Sequence, residues 1–146
     1  MKGTAGWLKI EGTLAPRARF VPNVKVNADT LASMVRAHAP QQILLEKEVY
    51  SLFANPNADA VLELVAGDAE PRFVVFGVAL DYCVRAATLG LLEWLTRTGR
   101  RGEVLLVRDA TASVDAAGGE RALSECIARG AKVVDTHAAL EVMQGR

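Results

Sequence analysis

Phe73-Val-Val-Phe-Gly-Val-Ala-Leu-Asp-Tyr-Cys83-Val-Arg-Ala-Ala87 decides how this chain is read. Phe73 to Val78 is a continuous apolar run with β-branched and aromatic residues, the pattern of a strand covered on both faces. A tight turn follows, and Cys83 falls at the first turn of a helix that the spacing carries from Tyr82 to about Arg97, with Gly99 as its stop. A helix N-terminus presents unpaired N–H groups and a partial positive charge. A thiol placed there ionises more readily, and the thiolate is its reactive form. The same N–H groups can hold an oxyanion. The plainer reading makes Cys83 a small apolar residue packed at a strand–helix junction, as many free cysteines are.

The same alternation extends outward. Upstream, Gln42-Ile-Leu-Leu-Glu46 reads as a short buried strand. Before it, Asp29 to His38 reads as a short helix stopped by Pro40. Asn55-Pro-Asn-Ala-Asp59 is turn and cap chemistry, opening a helix over Ala60-Val-Leu-Glu-Leu-Val65 that Gly67 ends. Downstream come a strand over Glu103-Val-Leu-Leu-Val107 and a helix from Gly119 to Arg129, with Gly118-Gly119 as a turn before it. Ala131-Lys-Val-Val134 is a last strand and His137 to Met143 a last helix. Strands alternating with helices predict an α/β fold, a parallel sheet with helices on both faces in the Rossmann-like manner. The chain reads as a single domain, with residues 1–27 an irregular arm rich in Gly, Pro and Thr and residues 28–146 the α/β core. In such sheets ligands bind at the carboxyl ends of strands. Cys83 follows one strand and Lys47 another, so parallel strands place both at one edge.

Composition narrows the function classes. Apolar residues make up 51% of the 146, enough for a substantial core. Lys plus Arg number 17 against 17 Asp plus Glu, which removes the electrostatic case for nucleic acid. The locally basic Arg97-Thr-Gly-Arg100-Arg101 reads as a solvated helix end. No apolar stretch approaches the roughly 20 residues of a membrane span, and Met1 to Trp7 has no signal-peptide core. Cys83 and Cys126 cannot make a disulfide framework, so a reducing cytoplasm is the expected compartment. Cys126, on an amphipathic helix, reads as packing, and His38 and His137 are too isolated to be metal ligands.

Two segments combine into a recognisable constellation. Leu44-Leu-Glu-Lys47-Glu-Val-Tyr50-Ser51-Leu-Phe53 puts a lysine at a strand end before Tyr-Ser-x-Phe, and Gly77-Val-Ala-Leu-Asp-Tyr-Cys83-Val follows in order. Together they resemble the isochorismatase-like cysteine hydrolases, which include nicotinamidases. Asp109-Ala110, after the strand Val104–Val107, and Gly130-Ala-Lys-Val-Val134 resemble that family too, so the likeness runs from Met1 to about Thr136.

The resemblance implies roles. Cys83 matches the nucleophile and Lys47 the lysine beside the thiolate, where an ammonium favours developing negative charge. Alone, Lys47 reads as a solvated lysine between two glutamates. Ala79 matches a position preceded by a cis peptide, and its N–H and that of Cys83 would form the oxyanion hole. Tyr50, Phe53 and Tyr82 could line a pocket for a flat substrate, and each could equally be core. Asp81 reads most simply as a helix N-cap. The implied function is a cysteine hydrolase of a small amide or related carbonyl compound. The alternative is an inactive relative that binds a small ligand or a protein partner. A plain nucleotide-binding domain is the weakest reading, because no Gly-rich phosphate loop is present.

The chain also departs from the family. The family opens with a strand ending in the aspartate of an Asp-Lys-Cys triad, and this chain has no such strand; Glu11 and Asp29 stand in irregular context. Lys2-Gly-Thr-Ala-Gly-Trp7-Leu-Lys-Ile resembles the family segment just after a His-Cys-Val, so the domain reads as N-terminally truncated. The triad aspartate and the metal ligands would lie before Met1. No cofactor or metal is therefore expected from the chain as read, and zinc only if upstream ligands exist. Without the missing strand, Phe73–Val78 would expose an apolar edge, unless the arm 1–27 covers the gap. Such an edge favours a homo-oligomer.

Overall fold

The computed structural model describes residues 12–36 and 42–145. Five strands and five helices alternate: β1 (Ala18–Val21), α1 (Ala28–Arg36), β2 (Gln42–Leu45), α2 (Ala58–Ala66), β3 (Arg72–Val78), α3 (Arg85–Thr98), β4 (Glu103–Ala112), α4 (Ala116–Ala128), β5 (Lys132–Val134) and α5 (Thr136–Met143). A 3₁₀ turn occupies Leu52–Ala54, and a π-helical turn, Leu80–Val84, leads into α3. The fold is α/β with every strand pair parallel, as the alternation of short apolar runs and helices requires.

The strands form two sheets. β1 pairs with β2, and β3, β4 and β5 lie side by side in that order. Residues 18–21, read as part of an irregular arm, are a strand: Ala18 and Phe20 stand opposite Gln42 and Leu44. The run is too short and too close to Pro16 and Pro22 to announce itself, and its partner β2 supplies the hydrogen bonds that make it a strand. Residues 1–11 and His38 lie outside the described residues.

The described part of the arm joins β2 and does not reach β3. Among the described residues β3 is therefore an edge strand, with nothing paired to its outer side. The expectation of a strand covered on both faces is corrected here. Phe76 and Val78, two residues apart and so on one face, are 66% and 71% exposed. The opposite face is packed, because Phe73 and Val75 join Trp94, Leu91 and Val104 in one cluster.

Three apolar clusters hold the elements. Val21, Leu31, Val35 and Val61 bind the first sheet to α1 and α2. Leu62 and Ala66 of α2 pack against the Trp94 cluster, so α2 bridges the two sheets. Leu80, Val84, Leu106, Ala122 and Cys126 form the third, beneath the π-helical turn.

β4 is longer than its apolar run predicts and contains Asp109-Ala110, which the sequence places after the strand. The pairing with β3 jumps from Val75↔Leu106 to Gly77↔Thr111, and β4 resumes as a strand beyond the irregularity. Gly77, at the jump, has φ 126°, a conformation side chains rarely allow. α4 likewise begins before Gly118-Gly119, which lie in its first turn, because Asp115 caps it by accepting the Gly118 N–H.

Candidate functional site

β3 delivers the chain to the site at its carboxyl end. The Val78–Ala79 peptide is cis, as the family resemblance implies for that position. Ala79 is extended, and its carbonyl accepts the N–H of Tyr82 and of Val84, each at 3.1 Å. These bonds wind Leu80–Val84 into the turn that carries Cys83, with Leu80 and Val84 buried as its anchor. The Cys83 Sγ donates to the Val78 carbonyl at 3.2 Å, so the thiol points back over the end of β3. Cys83 is partly exposed and Cys126 buried, and both are free thiols. Burial pushes the Cys126 thiol up, with the Glu125 carboxylate adding to it. That fits its reading as a packing residue.

The second segment approaches from β2. Its exit is fixed by two buried asparagines. The Asn55 side-chain amide donates to the carbonyls of Val21 at 3.3 Å, Pro22 at 3.1 Å and Glu46 at 2.8 Å. Asn57 donates to Pro22 and Val24 and accepts the N–H of Val26 at 2.9 Å. The Asn55 carbonyl oxygen in turn accepts the Asn57 N–H. Sequence reasoning treats Asn55-Pro-Asn57 as turn and cap chemistry and misses this knot. The local signal is a turn signal, and burial is set by strands about thirty residues upstream in sequence. The knot holds the carbonyl immediately before Lys47.

Lys47 Nζ donates to the Val49 carbonyl at 3.0 Å and is exposed. The hydrogen-bond partners of the Cys83 sulfur are the carbonyls of Val78 and Ala79. The link between the two segments is aromatic. Tyr50 and Tyr82 meet with ring centroids 5.0 Å apart at 46°. Phe53 goes elsewhere: it packs into the Trp94 cluster, and a Cβ on Gly90 would stand 2.5 Å from its ring. Of the three aromatic candidates, the structure brings together Tyr50 and Tyr82, beside the Cys83 turn.

Asp81 does not cap the helix it precedes. Its Oδ1 accepts the N–H of Val114 at 3.1 Å and its Oδ2 that of Asp115 at 3.0 Å. The loop between β4 and α4 comes within reach only in the fold, which is why the local cap reading fails. The Asp115 N–H, chiefly, holds the Asp81 carboxyl below the usual range. Behind it lies an open cleft lined by Asp81, Tyr82, Arg85, Asp115, Arg121 and Glu125. Arg85 Nε bonds Glu125 at 2.7 Å across it.

No group of three or more His, Cys, Asp or Glu among the described residues is placed to hold a metal ion. His137, at 3.5 Å, pairs with Glu141 one turn along α5. The described residues thus do not fit zinc. No helix among them is long and apolar enough to cross a membrane.

Residues 15–138 match the family model of the isochorismatase domain. No curated protein sequence matches the chain. Among solved structures, pyrazinamidase of Pyrococcus horikoshii in complex with zinc is 32% identical, with a TM-score of 0.52 over 66% of this chain and 52% of that one. PnC1 of L. infantum in complex with nicotinate is 21% identical, with a TM-score of 0.54 over 73% and 54%. The YcaC gene product of Escherichia coli, described as an octameric hydrolase of unknown specificity, is 18% identical, with a TM-score of 0.52 over 73% and 46%. The chain spans about half the length of these relatives.

Proposed function

Because this chain belongs to the isochorismatase family, we propose that it carries a cysteine hydrolase site for a small amide or related carbonyl compound, with Cys83 as nucleophile. The observation that carries the reading is the thiol itself, aimed over the carboxyl end of β3 from the turn that opens α3. The 32% identity to a pyrazinamidase supports an amide on a small flat ring as substrate. Tyr50 and Tyr82 offer the stacking surface.

The chemistry has two halves. The Cys83 thiolate attacks the carbonyl carbon, and the carbonyl electron pair moves onto oxygen. The N–H groups of Ala79 and Cys83 receive that oxyanion. Its collapse breaks the C–N bond, the leaving nitrogen takes up, through water, the proton that the Cys83 thiol gave up, and a thioester remains. Water then cleaves the thioester, releasing the acid and restoring the thiol. Lys47 is the charge beside the thiolate once its ammonium turns from the Val49 carbonyl. Both cysteines are free thiols, which suits the reducing cytoplasm as compartment. A homo-oligomer, of which the octameric YcaC is an example in this fold, belongs to the same proposal.

A second reading, a relative that binds a ligand or partner without turning it over, has one observation in its favour. The carboxylate nearest Cys83 in sequence, Asp81, has both oxygens taken by backbone N–H groups and is not free to move a proton. Ammonia release from nicotinamide and pyrazinamide, with Cys83→Ala as control, separates the two. Turnover abolished by Cys83→Ala supports the hydrolase. Binding of either amide without ammonia release supports the second reading.

A further inference from the structure

The turn that carries Cys83 is five residues long. Tyr82 and Val84 donate to the Ala79 carbonyl, and the first residue of α3, Arg85, donates to Leu80. On its polar side Asp81 ties this turn to the loop between β4 and α4, beside the Arg85–Glu125 pair that joins its end to α4. The two Asp81 oxygens take the N–H groups of Val114 and Asp115, one each.

The α4 end of this contact is built for close approach. A Cβ on Gly118 would stand 3.0 Å from Asp115 Oδ2 and 3.3 Å from Asp81 Oδ2. A Cβ on Gly119 would overlap Ser113 Oγ at 1.9 Å. The Gly118-Gly119 pair, which looks in sequence like a turn, is what lets residues 113–119 close over the 80–84 turn. Neither Asp81 nor the glycine pair is used by the hydrolase chemistry above.

We propose that Asp81 is a positioning residue for Cys83: its paired bonds to Val114 and Asp115 fix the 80–84 turn, and with it the thiol, against the β4–α4 loop. The inference rests on the reading of Cys83 as a nucleophile. It has a sign that separates it from simple electrostatics. A carboxylate two residues from a thiol disfavours the thiolate, so removing its charge alone would speed the reaction of Cys83. Removing a clamp would slow it. The other charges facing the same cleft are Arg85 with Glu125 and Arg121 with Asp115, and the substitution leaves all four in place.

The test is the pH profile of iodoacetamide alkylation at Cys83, read by peptide mass spectrometry on the 146-residue protein and on Asp81→Asn. Asparagine keeps one acceptor oxygen and the shape but loses the other acceptor and the charge. The expected result is the rise in rate displaced to higher pH, with alkylation at neutral pH slowed by roughly tenfold, because a thiol that leaves its place at the helix N-terminus loses the field that favours its thiolate, and this outweighs the lost carboxylate charge. Alkylation as fast as in the parent protein or faster, or a rise displaced to lower pH, overturns the proposal. Buried Cys126 reports folding in the same digest. If it becomes labelled in Asp81→Asn, Val114→Pro decides instead: it removes one donor and leaves the Asp81 charge. Slower alkylation in that variant supports the clamp, and an unchanged rate overturns it. A parent protein whose Cys83 reacts no faster than a free-cysteine peptide defeats the nucleophile reading and this inference with it. Fast parent alkylation with an unslowed Asp81→Asn defeats the clamp alone.

Discussion

Tyr50 and Tyr82 stand with ring centroids 5.0 Å apart, and through them the loop after Lys47 touches the turn before Cys83. The two residues are thirty-two apart in sequence and come from the ends of strands in different sheets. An aromatic pair of this kind adds about 0.5–1.5 kcal/mol beyond area burial. Tyr50→Ala, Tyr82→Ala and the double variant should therefore show a coupling energy of that size in urea unfolding. Additive losses would mean that the two loops do not meet in solution.

Cys83 should be alkylated by iodoacetamide at neutral pH well before Cys126. The first is partly exposed, while burial holds the second as an unreactive thiol. Lys47→Ala should slow Cys83 by roughly tenfold, the effect of about 1.4 kcal/mol. Equal labelling of the two cysteines, or indifference to the Lys47 change, would return Cys83 to a packing role.

Asn55→Ala should be costly out of proportion to its size. It deletes the donor shared by the carbonyls of Val21, Pro22 and Glu46. Leaving buried polar groups unpaired costs about 1–3 kcal/mol each. The loss should appear in chemical denaturation, and Lys47-dependent alkylation should weaken with it. A variant as stable as the parent would show that water replaces the amide without penalty.

Acid should loosen the second sheet through Glu103. This carboxylate, at the start of β4, bonds Lys132 of β5 and pairs with Arg72 of β3 at 3.4 Å. The Lys132 ammonium, first, and then Arg72 hold its carboxyl below the usual range. A depressed folded value gives stability that is present above the unfolded value, near 4.5, and is lost as pH falls through the folded one. Glu103→Gln should flatten that part of the stability–pH curve and leave the neutral plateau little changed, since the pair is exposed. An unaltered acid limb would assign the loss to other carboxylates.

The sequence by itself determined what is local. The apolar run 73–78, the glycine stops at Gly67 and Gly99, and the alternation with helices suffice for parallel α/β, because hydrophobic periodicity and cap chemistry act within one element. The Tyr-Cys-Val signature and the upstream lysine were legible for the same reason: each is a short word at a strand end. Tertiary structure decided the rest. β1 exists because β2 lies beside it, and among the described residues the arm pairs with β2 and the outer side of β3 has no partner strand. Asp81 became a tether between distant segments instead of a cap, and Asn55 a buried knot instead of a turn. For Asp81 and Asn55 the hydrogen-bond partners include groups 33 or 34 residues away in the chain, beyond the reach of any local pattern.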